Sequence, residues 1–365
     1  GVRVLSTAAV MTMITSIAAP AFADAYGIAL YGTHYLDQGN ITVEVRGGQY
    51  YVSDVLDDDG PVIIKNHEDE SDTTSVSNTI TIHAEDGEAN VTLKDVDIVT
   101  NGEANKSGIT VKADKTKTAT ATVNVTLDNV TVDAREDTSS EGATGGAGMT
   151  IQGNGVVNIE LDGKNELLAG DGHAGLEKNR TESVGSLNIN DSNEDGGSLT
   201  AIGGDGGAGI GGGKGDMGSG LYILNGTVNA YGKGGGAGIG GGDGAGAHMV
   251  GLNAGVPGVN DAYEPTVTAV GSEGVAGIGG GKGGRLTDAV LSSGTLTGTM
   301  ETLEYLQAHG AQTIVFTTSQ RTSSFQISDL LALADEGDVF YLTHAEVNEP
   351  TLLVVTSDHT DLLEG

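Results

Sequence analysis

The residues with the clearest chemical spacing are Asp191-Ser192-Asn193-Glu194-Asp195-Gly196. They reproduce the D-x-N-x-D-G order of a calcium loop, in which alternate carboxylate and amide oxygens converge on one ion and the glycine permits the sharp turn. Asp191, Asn193 and Asp195 are therefore the candidate metal ligands, with Ca2+ as the expected ion. The bidentate glutamate that an EF-hand places twelfth is replaced by Ile202, and no helical pattern flanks the loop. The competing reading is an ordinary acidic turn. Asp57-Asp58-Asp59-Gly60 and His67-Glu68-Asp69-Glu70 are weaker matches and read as solvated loops.

Other chemistries fit poorly. The eight histidines include no H-x-x-x-H pair, which argues against zinc. No G-x-S-x-G nucleophile elbow is present. The glycine runs around Lys214 and Lys282 lack the spacing and the Ser/Thr of a phosphate loop. Nor do they match the calcium nonapeptide, because Asp216 falls one residue early. A lyase needs a cationic base and charge-neutralising basic groups, yet Arg135, Arg180 and Arg285 lie in loop-like sequence. The chain is accordingly expected not to be an enzyme. Sugar platforms favour flat aromatic faces. Trp is absent, and only Tyr222 and Tyr231 lie near the repeated strands, so these two are the candidate ligand-binding residues. Tyr26, Tyr31, Tyr35, Tyr50 and Tyr51 read as packing of an N-terminal cap.

Composition narrows the class further. Fifty acidic residues against 17 basic ones give a net charge of -33. Nothing in that balance could neutralise phosphates, so nucleic acid is excluded as a partner, and anionic membrane surfaces are disfavoured. There is no cysteine, hence no disulfide and no thiolate metal site. Arg3, the apolar stretch Val4–Ala19 and the Ala21-Phe22-Ala23 site have the order of a secretory leader with its start cut off. Residues 1–23 are expected to be that leader, which makes the protein secreted or extracellular. The apolar run is too short and too interrupted to span a bilayer.

The elements that position these residues are repetitive. Gly207-Ala208-Gly209-Ile210-Gly211-Gly212-Gly213 recurs at Gly236–Gly242 and, with Val275 first, at Val275–Gly281. Degenerate copies surround Ile109, Met149 and Leu176. The aliphatic positions recur at intervals of 27 to 40 residues, the range of solenoid turns with insertions. Between them lie short alternating segments such as Val123–Leu127, Val157–Leu161, Leu187–Ile189 and Leu221–Ile223, the period of strands with one buried face. Asn129 and Asn225-Gly226 could each turn a hairpin or a corner between two faces. Recurrence with the glycine element favours the corner, because stacked copies bury a continuous core. The expected organisation is an N-terminal cap with the first coils over 24–100, a glycine-rich β-helix over 101–300, and a small C-terminal α+β or strand-rich cap over 301–365. In that arrangement Ile210, Ile239 and Ile278 stack inward.

One family pattern resembles this order. A strand of the type Gln38-Gly39-Asn40-Ile41-Thr42-Val43 precedes coils like Val125–Val130, and Gly-Ala-Gly-Ile-Gly-Gly-Gly units then join strands like Gly226–Ala230. This resembles the secreted carbohydrate-binding-domain-containing β-helix proteins of Gram-positive gut and cellulolytic bacteria, over roughly residues 38–300. The resemblance implies an all-β, right-handed parallel β-helix akin to pectate lyases, with plant polysaccharide and calcium as associated ligands. It is specific for architecture and weak for function. The leading expectation is a secreted or cell-surface, non-catalytic, adhesin-like protein whose partner is a polysaccharide or a host or cell-surface glycan. The alternatives are a structural surface scaffold without a ligand, a polysaccharide lyase or hydrolase on the same fold and, more remotely, an ice-binding solenoid, whose regular Thr-x-Thr array the linear sequence lacks.

Overall fold

The computed structural model describes residues 32–57, 60–69, 71–116, 119–135, 144–193, 195–252, 265–284, 286–291, 294–299, 303–304, 307, 313–317, 322–333, 339–344 and 351–355. The leader expected over residues 1–23 lies outside them, as do Tyr26, Tyr31, Asp58, Asp59, Glu70, Glu194 and Arg285. The described chain is all-β and nearly free of helix, and its main sheets are long and parallel.

Three sheets are visited in turn. Sheet I holds Glu88–Lys94, Thr122–Asp128, Val156–Asp162, Ser186–Asn190, Gly218–Ile223 and Ala247–Leu252 among its nine strands. Sheet II holds Asp97–Val99, Thr131–Ala134, Lys164–Ala169, Ser198–Asp205, Thr227–Lys233 and Thr266–Val270. Sheet III holds Ile80–Ala84, Ile109–Ala113, Met149–Gln152 and then the two-residue strands Leu176–Glu177, Ile210–Gly211, Ile239–Gly240 and Ile278–Gly279. The chain passes from I to II to III and back to I, and each strand pairs in parallel with its counterpart one round later. That cyclic order is consistent with a β-solenoid.

Inward side chains align in columns. Val91, Val125, Ile159, Ile189 and Ile223 stack along sheet I, and Leu93, Leu127 and Leu161 run beside them. Ile210, Ile239 and Ile278 stack along sheet III as the glycine setting predicts, the first two fully buried. The turns between sheets I and II are corners, not hairpins. Asp95, Asn129, Gly163 and Gly226 turn four of them with φ of 51°, 58°, 62° and 84°, a region open to Gly and tolerated by Asn and Asp.

The repeated glycine element has a steric cause. A Cβ on Gly238 would stand 2.5 Å from the Val270 nitrogen of sheet II and 2.6 Å from the Gly277 carbonyl oxygen. Gly209 and Gly175 meet Tyr231 and Ile202 in the same way. The backbones of sheets II and III therefore touch. This also explains why the inward column of sheet II shrinks from Val132 and Leu167 to Ala201, Ala230 and Ala269.

At one end of sheet III, Ile41–Arg46 turns into an antiparallel meander through Gln49–Val52 and Val55–Asp57. Toward the C-terminus the pairing becomes antiparallel again. Gly294–Thr299, Val339–His344 and Thr351–Val355 form one sheet, and Thr313–Thr317 with Thr322–Gln326 form a hairpin followed by the helix Ile327–Leu333. No helix among the described residues is long and apolar enough to cross a membrane.

Candidate functional site

The outer face of sheet II is regular. Register places Ser198, Thr227 and Thr266 in one column, Thr200, Asn229 and Thr268 in the next, and Ile202, Tyr231 and Val270 in a third. Parallel strands lie about 4.8 Å apart, and alternate residues along a strand about 6.6 Å apart, so the nine side chains form a lattice. All nine are at least partly exposed, and Val270 is 47% exposed. None carries a charge, although the chain as a whole carries -33. Hydroxyl and amide groups occupy two columns, and an apolar column centred on Tyr231 occupies the third. Earlier rounds interrupt the pattern with Lys164, Glu166 and Asp133.

Tyr222 is not part of this surface. It lies on sheet I, beside Asn188, so the structure separates the two candidate tyrosines. Tyr222 continues a column of asparagines linked by amide bonds: Asn124 Nδ2 donates to Asn90 Oδ1 (2.8 Å), Asn158 Nδ2 to Asn124 Oδ1 (2.7 Å), and Asn188 Nδ2 to Asn158 Oδ1 (2.8 Å). Asn124, Asn158 and Asn188 are buried. Burial also pushes the Tyr222 phenol above its ordinary value.

The acidic loop is an expanded corner between sheets I and II. The structure brings Asp191, Asn193 and Asp195 together there and adds Glu160 and Asp162 from the end of the preceding strand of sheet I. Glu160 Oε1 accepts bonds from the Ser192 amide and hydroxyl and from the Asn193 amide (3.3 Å). Asn193 Nδ2 donates to Asp162 Oδ1 (3.0 Å) and to Asp195 Oδ2 (3.5 Å). Asp191 Oδ2 accepts from the Gly197 amide (3.1 Å). Burial holds the Glu160, Asp162 and Asp195 carboxyls above their ordinary values. For Asp162 the neighbouring charges of Asp195, Asp128 and Asp191 add to the effect, and for Asp195 that of Asp191 does. Among the described residues no three His, Asp or Glu side chains are already gathered as a metal site. Sequence reasoning missed Glu160 and Asp162 because only the register aligns that strand end with the loop.

A second polar cluster lies in sheet III, where the round before the glycine repeats carries Glu177, Lys178 and Asn179 in place of glycines. Glu177 accepts from the Ala174 amide (3.0 Å) and Asn179 Nδ2 (3.1 Å), and pairs with His173 Nδ1 (3.0 Å). The Glu177 bond raises the His173 imidazole above its ordinary value. Lys178 is fully buried, and its ammonium donates to the carbonyls of Ser219 (2.6 Å) and Ser183 (3.3 Å). Desolvation lowers it to about 8. Comparison with family models, with curated proteins and with solved structures finds no match to this chain.

Proposed function

We propose that the chain is a right-handed parallel β-helix of an extracellular, non-catalytic, adhesin-like protein, and that the outer face of sheet II binds a neutral polysaccharide or surface glycan. One observation carries this reading: a nine-residue uncharged lattice of hydroxyl, amide and apolar side chains on an otherwise strongly acidic molecule. Sugar rings present hydroxyls at their rims and C–H groups on their faces. Columns of Thr and Asn match the first, and Ile202, Tyr231 and Val270 match the second. The surrounding negative charge disfavours polyanions and leaves uncharged chains as the preferred class.

Affinity electrophoresis of the full chain against soluble neutral glycans, with polygalacturonate as the acidic comparison, tests the reading. Retardation by a neutral glycan is expected, with about tenfold weakening on Tyr231→Ala, which corresponds to about 1.4 kcal/mol. The reading fails if no neutral glycan retards the protein or if Tyr231→Ala binds as the parent does.

A further inference from the structure

The acidic corner between sheets I and II carries an inference independent of glycan binding. Among the described residues, three buried side-chain atoms lack a hydrogen-bond partner, and two of them are carboxylate oxygens at this corner, Glu160 Oε2 and Asp191 Oδ1. Asp191 is only 5% exposed. An orphaned buried carboxylate oxygen is costly, and such atoms in a native fold commonly mark an ion or water that completes them. Asp191 also lies close enough for its charge to act on both Asp162 and Asp195. None of Glu160, Asp162, Asp191 and Asp195 has a lysine, arginine or histidine ion-pair partner among the described residues. The neighbouring Asp128 does: Lys94 Nζ lies 2.8 Å from its Oδ2.

What lies between Asp162 and Asp195 is the amide nitrogen of Asn193, donating a proton to each. We propose that this corner is a divalent-cation site, calcium by its all-oxygen ligand set, at which the ion takes the place of those amide protons between Asp162 and Asp195. A half-turn of the Asn193 amide brings Oδ1 to the position of Nδ2, so the same residue changes from proton donor to ligand. Asp191 and Glu160 then supply the unpartnered oxygens. Calcium accepts six to eight oxygens in flexible geometry, whereas magnesium demands a tighter octahedron. The ion would link one round of the fold to the next, because Glu160 and Asp162 end one strand of sheet I and the loop follows its neighbour, Ser186–Asn190.

The test uses the full chain, stripped with EDTA and titrated calorimetrically with calcium chloride, alongside thermal melts in calcium, magnesium and sodium chlorides at matched ionic strength. One saturable calcium event is expected, with a melting increase of several degrees over sodium and a smaller one in magnesium, because the ion binds the folded form. The D162N/D195N variant should lose the event and the increment. N193D gives the opposite change and does not depend on the double variant folding. Exchanging the amide for a fifth carboxylate should lower the melting temperature in EDTA and tighten calcium binding about tenfold. Identical melts in EDTA and calcium, an increment retained by D162N/D195N, or an N193D chain that binds calcium no tighter would each overturn the proposal. Glycan retardation is read separately, so failure here leaves the sheet II reading standing, and the reverse.

Discussion

Replacing Lys178 by methionine should change how stability depends on alkaline pH. Lys178 is fully buried, and desolvation lowers its ammonium from 10.5 to about 8. In the unfolded chain the same group keeps its proton up to about 10.4. Below pH 8 both states hold the proton, and the folded state bears the full cost of the buried charge. Between pH 8 and 10.5 the folded protein releases the proton first, the unfolded state binds more protons, and stability therefore rises with pH. The full shift corresponds to an upper bound of about 3 kcal/mol, at about 1.4 kcal/mol for each pH unit. Tyr50 and Tyr222, both raised by burial, keep their protons longer in the folded protein than in the unfolded chain and push the other way. The comparison with Lys178→Met cancels them. At pH 7 the variant relieves the buried charge but leaves the Ser183 and Ser219 carbonyls without their donor, a loss of about 1–3 kcal/mol for an unmet buried group. These offset, so the slope is the readout. Urea unfolding of both proteins at pH 7, 8, 9 and 10 should show the parent gaining on the variant steadily above pH 8. Parallel curves would refute the assignment of a lowered ammonium.

Two further outcomes follow from the geometry. Gly238→Ala should destabilise by about 1–3 kcal/mol, since its Cβ meets backbone on two sides. Gly244→Ala, with open space around it but φ of +79°, should cost only the left-handed strain of about 1–2 kcal/mol; equal folding of Gly238→Ala and the parent in urea would contradict the close approach of sheets II and III. His173 is raised by Glu177, so its contribution is complete below the unfolded value of about 6.5 and fades as pH rises through the higher folded value. The stability gap between the parent and His173→Gln should therefore narrow from pH 6 to pH 8, and a gap that widens would exclude the pair.

Strands, corners and the inward isoleucine stack were legible because each rests on local signals: alternation in Val123–Leu127, a turn residue at Asn129, one aliphatic side chain between glycines at Ile239. The sheet II surface was not. Thr266-x-Thr268 is the only Thr-x-Thr pair in its nine positions, and the linear sequence gives no sign that Ser198, Thr227 and Thr266 share a column. That array is assembled by register across rounds of unequal length. The same holds for Glu160 and Asp162, which meet the loop through strand pairing and not through any motif. Tyr222 and Tyr231, nine positions apart, looked like partners, yet the corner at Gly226 sends them to different sheets.

The antiparallel meander at the start of sheet III has a consequence for assembly. A parallel ladder that ends in a bare strand offers its amides and carbonyls to any second copy, and would template growth into a filament. Here Gln49–Val52 folds back on Ile41–Arg46, and Val55–Asp57, only three residues long, forms the outermost rung among the described residues. That short rung is a poor template, although it leaves Val55 and Leu56 exposed. Lengthening by duplication of internal rounds stays compatible with such a terminus, because new rungs enter between existing ones. Deleting residues 47–57 would remove the stop and leave a six-residue strand free to recruit a neighbour.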